Sequence, residues 1–308
     1  MTKLFRLIVG MVFPIFCFSQ GENLLIAHTI PPDLRSNANA VVRWDETDIE
    51  VKTLNKMVHV YKRIVTILNS SGNSKVNAYL GYDKGVSIKK MEARIYEASG
   101  KEIKKIRKND FEDVSAVDGG TLYSDSRVKY LKYTPLDYPF TVYFETEVEY
   151  NSTAYIKRWM PIENFAMGVE NSSYKFRYDA SNELNKIEKN FPAFEVNNLS
   201  KPGEIHYEAH QLPALSYESY CPDLKEITPY AMLNLKHFSY EGYTGNANDW
   251  SALGTWMHQQ LLDGRTQVSE KTKSEILNMV SDVEHPLEKA KIVYQYVQNN
   301  TRYISVHK

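Results

Sequence analysis

The segment Phe140-Thr-Val-Tyr-Phe-Glu-Thr-Glu-Val-Glu-Tyr150 alternates between two kinds of side chain. Successive residues of a β-strand point to opposite faces of the sheet, so the even-numbered residues share one face and the odd-numbered residues the other. The even face is apolar apart from Thr146, while the odd face carries Glu145, Glu147 and Glu149. The pattern predicts a strand with one buried and one solvated face.

A second alternating segment lies upstream, from Val58 to Leu68. One of its faces carries Val58, Val60, Ile64 and Leu68, and the other mixes apolar residues with His59, Tyr61 and Arg63. A strand with apolar residues on both faces is typical of the middle of a sheet. We therefore expect this strand to be central.

Turn-forming residues separate such segments at short intervals. Asn69–Asn73 lies between two of them, Ala98–Gly100 predicts a hairpin, and Asp118–Gly120 predicts a loop. Strands spaced in this way predict a mainly β fold. We expect an antiparallel β-sandwich over residues 40–211, and a closed barrel is the alternative.

The pattern changes after the predicted sandwich. A short helix is expected at 183–190, although residues 40–211 are otherwise dominated by strands. Residues 212–248 are rich in aromatic residues and proline, which predicts an ordered connector rather than a flexible linker.

Residues 249–308 have a helical period and predict a small α-helical C-terminal segment. Asp249 and Ser269 are suited to cap the first two helices. Pro286 suits the first position of a third, in which Leu287, Ala290, Val293, Tyr294 and Val297 form one apolar stripe. Helices of this kind need a further surface on which to bury that stripe.

Residues 1–19 have the features of an export signal, a charged start followed by a short apolar run. We expect cleavage before Gln20, a lead-in over residues 20–39, and location in a bacterial periplasm or cell envelope. The alternative is a lipoprotein signal acylated at Cys17, although the residues before Cys17 are not small. No segment of the mature chain is predicted to span a membrane.

The net charge of −1 argues against a nucleic-acid partner, because neutralising phosphates requires an excess of Lys and Arg. Cleavage before Gln20 leaves Cys221 as the only cysteine. It lacks the surroundings of an activated thiol, so we interpret it as an inert, partly buried residue. No cofactor is expected.

Two other groups suggest chemistry but have simpler interpretations. His206 and His210 lie in an extended segment, where they would be roughly 13 Å apart and unable to share one metal ion. The Glu145, Glu147 and Glu149 row is expected to face lysines and arginines of a neighbouring strand. The sequence therefore predicts neither a metal site nor a catalytic pair of acids.

Exposed aromatic residues could stack on the apolar faces of sugars. The candidates are Tyr217, Tyr220, Tyr230, Tyr240 and Tyr243. The simpler interpretation is that they fill the seam between the sandwich and the helices.

The β-rich region, with Ser99-Gly-Lys-Glu102 in a hairpin and Trp159-Met-Pro161 after the long strand, resembles domain of unknown function 3857, DUF3857. The run from Glu288 to Ser305 resembles the opening of a transglutaminase-like core. These resemblances imply a DUF3857 domain followed by the start of an α+β transglutaminase-like domain. They also imply that the catalytic Cys, His and Asp would lie beyond Lys308.

The expected function is that of an exported, non-catalytic module that recognises or positions a protein or polymer partner. The alternative is a fragment of a cysteine-dependent acyl-transferase or peptidase of the transglutaminase-like class. A second alternative is a carbohydrate-binding module that uses the exposed tyrosines.

Overall fold

The computed structural model describes residues 23–116, 123–265, 267–301 and 306–307. The predicted export signal at 1–19, including Cys17, lies outside these residues, as does the predicted loop at Asp118–Gly120. The predictions for these two segments therefore stay predictions.

The described part of the chain is built mainly from strands. They are β1 (Ala40–Thr53), β2 (Lys56–Ile67), β3 (Tyr79–Tyr82), β4 (Val86–Glu97), β5 (Glu102–Arg107), β6 (Glu112–Ser115), β7 (Tyr123–Ser124), β8 (Arg127–Tyr130), β9 (Phe140–Tyr150), β10 (Met167–Arg177), β11 (Leu184–Lys189), β12 (Asn197–Asn198), β13 (Glu204–Leu212), β14 (Tyr230–Leu235), β15 (His237–Tyr240), β16 (Tyr243–Asn246) and β17 (Val306–His307). The helices are α1 (Pro32–Arg35), α2 (Leu224–Ile227), α3 (Trp250–Met257), α4 (Glu270–Met279) and α5 (Pro286–Asn300).

Eight strands form the principal sheet, in the order β12-β13-β10-β1-β2-β9-β4-β5. β2 lies inside this sheet between β1 and β9, which confirms its predicted central position. The long strand β9 spans the predicted residues 140–150. The mainly β prediction with antiparallel pairing is thus confirmed, and β4 and β5 form the expected hairpin.

One pair in this sheet, β1 with β10, is parallel. A parallel pair needs a crossover connection, and residues 151–166 supply it between β9 and β10. This crossover buries Trp159 and Ile162 in the core. It also brings polar side chains of an irregular segment against the inner face of the sheet.

Two small sheets cover the inner face of the principal sheet and complete the sandwich. One has the order β3-β8-β6, and the other pairs β11 with β14. Val142 and Phe144 of β9, Ile162 of the crossover and Leu233 of β14 belong to one buried apolar cluster. Both layers therefore share a single core.

The predicted helix at 183–190 is wrong, because Leu184–Lys189 forms β11 and pairs with β14. β14 lies within the segment expected to be a connector, and its Ala231, Leu233 and Leu235 are buried while Met232 is exposed. Pairing between the two segments gives both a partner and a buried face, and this outweighs local helix propensity. Residues 230–235 thus belong to the core of the sandwich.

The predicted starts of the C-terminal helices are confirmed. The Asp249 carboxylate accepts from the Ala252 N–H at 2.7 Å, and the Ser269 hydroxyl accepts from the Thr272 N–H at 3.1 Å. Pro286 occupies the first turn of α5. Among the described residues of α3, α4 and α5, none is buried.

α3 contacts the hairpin of β15 and β16 through Trp256. Its indole N–H donates to the Thr244 carbonyl at 2.8 Å, and its ring centroid lies 5.1 Å from that of Phe238. A Cβ at Gly245 would lie 2.5 Å from the Phe238 ring, so only glycine permits this packing. None of the helices described has the length and apolarity needed to cross a bilayer.

Candidate functional site

A buried cluster of charged side chains lies on the inner face of the principal sheet. At its centre is Arg63 of β2, which is only 1% exposed. Asp45 of β1 is its direct neighbour across the strand pair, and Glu163 arrives from the crossover. The parallel β1–β10 pair thus determines where the second carboxylate lies.

The Arg63 guanidinium joins the two carboxylates. Its Nη1 donates to Asp45 Oδ2 at 3.0 Å and to Glu163 Oε2 at 3.1 Å. The Tyr61 hydroxyl donates to the same Asp45 oxygen at 2.7 Å, and Asn77 donates to Glu163 at 3.2 Å. Buried charges are tolerated only when paired and hydrogen-bonded in this way.

The two carboxylates respond differently to these surroundings. Burial raises the pKa of Asp45 even though Arg63 opposes the shift. Burial acts on Glu163 in the same direction, but Arg63 and Lys157 outweigh it and lower the pKa of Glu163 overall. The Glu163 side chain is 31% exposed and that of Asp45 13%, which explains why burial wins only at Asp45.

Lys157 contributes a second cation from the crossover. The residue as a whole is exposed, but its ammonium lies 3.8 Å from the centroid of the buried Tyr61 ring. The pKa of Lys157 therefore depends on the surroundings of its ammonium rather than on the exposure of the residue as a whole. Loss of hydration lowers the pKa of Lys157, and Asp45 and Glu163 partly oppose that shift.

His59, two residues before Tyr61 on the same face of β2, completes the cluster. It is only 8% exposed, and within the described ranges its Nε2 has no hydrogen-bond partner. Burial, reinforced by the Lys157 charge, lowers the pKa of His59 to about 3. The imidazole is therefore neutral near pH 7 and has an unused polar atom.

A cavity of about 290 Å³ opens beside the cluster, between the principal sheet and β3. Its lining comprises His59, Tyr61, Asn77, Tyr79, Leu80, Gly81, Phe144, Thr146, Tyr150, Lys157 and Glu163. We call this cavity the inter-layer pocket. It combines aromatic walls with a few converging polar groups, as small-molecule sites do.

Sequence reasoning did not identify these residues as a site. His59, Tyr61 and Arg63 were recognised only as the mixed face of a central strand. That mixed face is the buried one, because Arg63 is neutralised by Asp45 and Glu163. Polar residues at three alternate positions of a strand predicted to be central are the signal that could have identified it.

The five candidate tyrosines lie in three separate parts of the chain, namely the segment before α2, β14, and the hairpin of β15 and β16. Tyr217 and Tyr220, in the segment before α2, are exposed, and Tyr217 packs its edge on Phe165 at 5.4 Å. Tyr230 begins β14 and is buried, so it cannot belong to an exposed platform. Tyr240 and Tyr243 pair across the hairpin of β15 and β16.

The acidic residues of β9 and the two histidines of β13, which were the remaining candidates from the sequence, take part in ion pairs or contacts with neighbouring side chains. Glu145 and Glu149 pair with Lys90 at 2.6 Å and with Lys56 at 3.0 Å, as expected of a solvated row of acids. His206 and His210 lie on β13 and both contact Glu208. Within the residues described, no three potential ligands are grouped as a metal site requires.

Cys221 is partly buried, and its backbone N–H donates to the Glu218 carbonyl at 3.2 Å. Across the described ranges, no imidazole forms a hydrogen bond with its sulfur. A cysteine nucleophile needs such a base.

Residues 55–216 match the family model of a Domain of Unknown Function with solved structure, DUF3857. The chain belongs to the DUF3857 family. The match covers β2 to β13, the crossover and most of the inter-layer pocket cluster, while Asp45 precedes it. It thus agrees with the predicted resemblance and extends a few residues beyond the predicted end of the sandwich at 211.

The DUF3857 chain is also similar to the crystal structure of "a putative protease from Parabacteroides distasonis ATCC 8503", with a TM-score of 0.59 and 13% identity. The match covers 85% of this chain and 50% of that one, so this chain spans about half of that structure's length. At this identity the likeness concerns the fold alone. Comparison with curated proteins gives no match.

A weaker similarity is to the structure of yeast LTA4 hydrolase in complex with bestatin, with a TM-score of 0.30 and 8% identity. It covers 66% of this chain and 31% of that one. This similarity is too low to indicate a shared fold.

Proposed function

We propose that this DUF3857 chain is an exported recognition module that binds a partner in the inter-layer pocket. The observation that carries the proposal is the pocket itself, a cavity of about 290 Å³ in which Lys157, Glu163 and Asn77 lie beside aromatic side chains. Such a combination of aromatic walls and a few polar groups is typical of ligand sites.

We further propose that the module presents its partner to a transglutaminase-like unit, of which α3 to α5 form the beginning. This part of the proposal is supported by the resemblance of the run from Glu288 to Ser305 to such a core. It is also supported by the exposed apolar stripe of α5, where Leu287 is 57% and Tyr294 65% exposed. An amphipathic helix is stabilised chiefly by burying that stripe.

In this proposal the described residues recognise the partner, and the acyl-transfer chemistry belongs to the transglutaminase-like unit. Cys221 is assigned no catalytic role. The periplasm or cell envelope is the proposed location, and its support is the sequence pattern that predicts an export signal at residues 1–19.

Export is tested by mass spectrometry of the chain recovered from the envelope of a bacterial host. We expect a mature chain that begins at Gln20. A variant with Ile8→Lys, which interrupts the apolar run of the signal, should remain uncleaved. A full-length wild-type chain that begins at Met1 and stays in the cytoplasm would contradict export, and acylation at Cys17 would appear as added lipid mass.

Recognition is tested by immobilising the chain and measuring how much envelope polysaccharide and envelope protein it retains. Tyr79→Ala removes an exposed ring from the pocket, while Tyr155→Ala removes another exposed ring from outside it. We expect Tyr79→Ala to reduce retention and Tyr155→Ala to leave it unchanged. Equal retention by both variants would refute the assignment of recognition to the pocket.

A further inference from the structure

The side chains of the inter-layer pocket restrict the class of ligand that it can bind. The ligand class inferred from them rests on the recognition role proposed above. The charged residues that line the pocket are Lys157 and Glu163, and Arg63 joins Glu163 to Asp45 behind them. One cation and one carboxylate of the lining balance, and His59 adds no charge because its pKa is lowered to about 3. The pocket is therefore electrically neutral overall.

A charged ligand would disturb this balance in a poorly hydrated place. An anion would lie beside the Glu163 carboxylate, whose negative charge already offsets that of the Lys157 ammonium at longer range. A ligand ammonium would compete with Lys157, which occupies the face of the Tyr61 ring at 3.8 Å. Buried, uncompensated charge is strongly unfavourable, so a neutral ligand fits best.

The polar groups of the pocket favour a ligand with several hydroxyl groups. Lys157 lines the pocket and presents an ammonium that makes no ion pair within 4 Å in the described part of the chain. Glu163 accepts its bonds from Arg63 and Asn77 on Oε2, which leaves the other oxygen to accept from a ligand. The pocket thus offers both donors and acceptors to a ligand that carries several hydroxyl groups.

The walls and size of the pocket agree with this ligand class. Tyr61, Phe144 and Tyr150 are aromatic residues of the pocket wall, and Tyr79 contributes a fourth ring that is 59% exposed. Aromatic faces stack on the apolar face of a sugar. A volume of about 290 Å³ is at the small end of ligand sites and suits one six-membered sugar ring.

We propose that the inter-layer pocket binds one neutral pyranose unit of a polysaccharide. Asn77, Lys157 and Glu163 bond to its hydroxyl groups, Tyr79 stacks on the ring at the rim, and the buried His59 lies in the pocket wall. This site differs from the tyrosine platform expected from the sequence, because none of Tyr217, Tyr220, Tyr230, Tyr240 or Tyr243 is among its described lining residues.

Sugars that share a ring and differ in charge provide a direct test. The whole chain is titrated with the methyl glycosides of glucose, galactose, mannose and N-acetylglucosamine, and with glucosamine and glucuronate, while the His59 ring resonances are followed by NMR. We expect at least one neutral sugar to shift them. Glucosamine and glucuronate should bind at least about tenfold more weakly, because each adds an uncompensated charge.

Variants of the exposed Tyr79 separate binding from folding. Tyr79→Ala should weaken the neutral sugar at least about tenfold, and Tyr79→Phe, which keeps the ring, should retain most of the affinity. Tyr155→Ala is the matched control and should bind like the wild type. Comparable affinity for charged and neutral sugars, or no effect of Tyr79→Ala, would overturn the proposal.

A neutral amide, N-acetylglycine amide, distinguishes failure of the sugar class from failure of the recognition role. If the amide shifts the His59 resonances and no sugar does, the pyranose proposal is wrong and recognition at the pocket stands. If neither ligand shifts them and envelope material is retained equally by wild type and Tyr79→Ala, both proposals are wrong.

Discussion

The sandwich and the C-terminal helices differ in which side chains they bury. The sandwich encloses even the guanidinium groups of Arg43 and Arg63, each 1% exposed and each paired with a carboxylate. In the helices α3 to α5 none of the described residues is buried, and apolar residues such as Leu277 and Leu287 are more than half exposed. The sandwich therefore supplies its own stability, whereas the helices depend on what covers them.

Replacing Arg63 with Met tests most strongly whether the sandwich depends on its buried charges. The change leaves Asp45 and Glu163 buried without their shared cation, and we expect the free energy of unfolding to fall by about 3–5 kcal/mol. Urea unfolding measures it. Arg94→Met, which removes an exposed partner of Glu92, should cost less than about 1 kcal/mol, and an equal cost at both sites would contradict the comparison.

Truncating apolar side chains compares the two regions directly. Val142 is 0% exposed in β9, and Val142→Ala should lower the free energy of unfolding by about 2 kcal/mol through lost burial and a small cavity. Leu277 is 58% exposed in α4, and Leu277→Ala should change it by less than about 0.5 kcal/mol. Similar costs in urea unfolding would show that the helices are packed as tightly as the sandwich.

The buried imidazole gives the sandwich a specific response to acid. Burial lowers the pKa of His59 to about 3, from an ordinary value of about 6.5. Above pH 6.5 neither state takes a proton at this residue; below it only the unfolded chain does. The contribution of His59 to stability is thus fully present above about pH 6.5 and is lost on acidification, by about 1.4 kcal/mol per pH unit at most, until about pH 3.

His59→Phe removes this titration and keeps a ring in the same place. We expect its unfolding free energy to fall less steeply between pH 6.5 and pH 3 than that of the wild type. Parallel curves for wild type and His59→Phe would show that His59 does not resist protonation in the folded state.

Removing a helix cap should have the smallest effect and the most local one. Asp249→Ala deletes the carboxylate that accepts from the Ala252 N–H, which costs α3 about 1 kcal/mol. Amide exchange in α3 should accelerate while exchange in β9 is unchanged, because the helices contribute little to the sandwich. Ser251→Ala, inside the same helix, is the control, and faster exchange throughout β9 would show that the two regions unfold together.

Strands with strict alternation were predictable from the sequence. β9 has the predicted bounds because its apolar and polar residues alternate from Phe140 to Tyr150. Asp249, Ser269 and Pro286 likewise predicted the helix starts, since capping is a local interaction. The strand at Leu184–Lys189 was not predicted, because it forms through pairing with a strand that begins only at Tyr230.

The candidate site could not be predicted from the sequence, for a related reason. Arg63 and Glu163 are 100 positions apart, and only the crossover into β10 brings them together. The neutral state of His59 results from burial in the assembled sandwich. Neither property is encoded within a short segment, whereas the tyrosines of the connector drew attention because they are close in sequence.

The parallel pairing of β1 has a consequence for how the chain is made. One edge of β1 pairs with β2, which follows after a two-residue turn. The other edge pairs with β10, which ends only at Arg177. During synthesis from the N-terminus, β1 therefore presents unpaired N–H and C=O groups while more than a hundred residues are added. An open strand edge recruits strands from other nascent chains. Chaperones that bind the nascent chain before β10 has been made should accordingly raise the soluble yield of this protein.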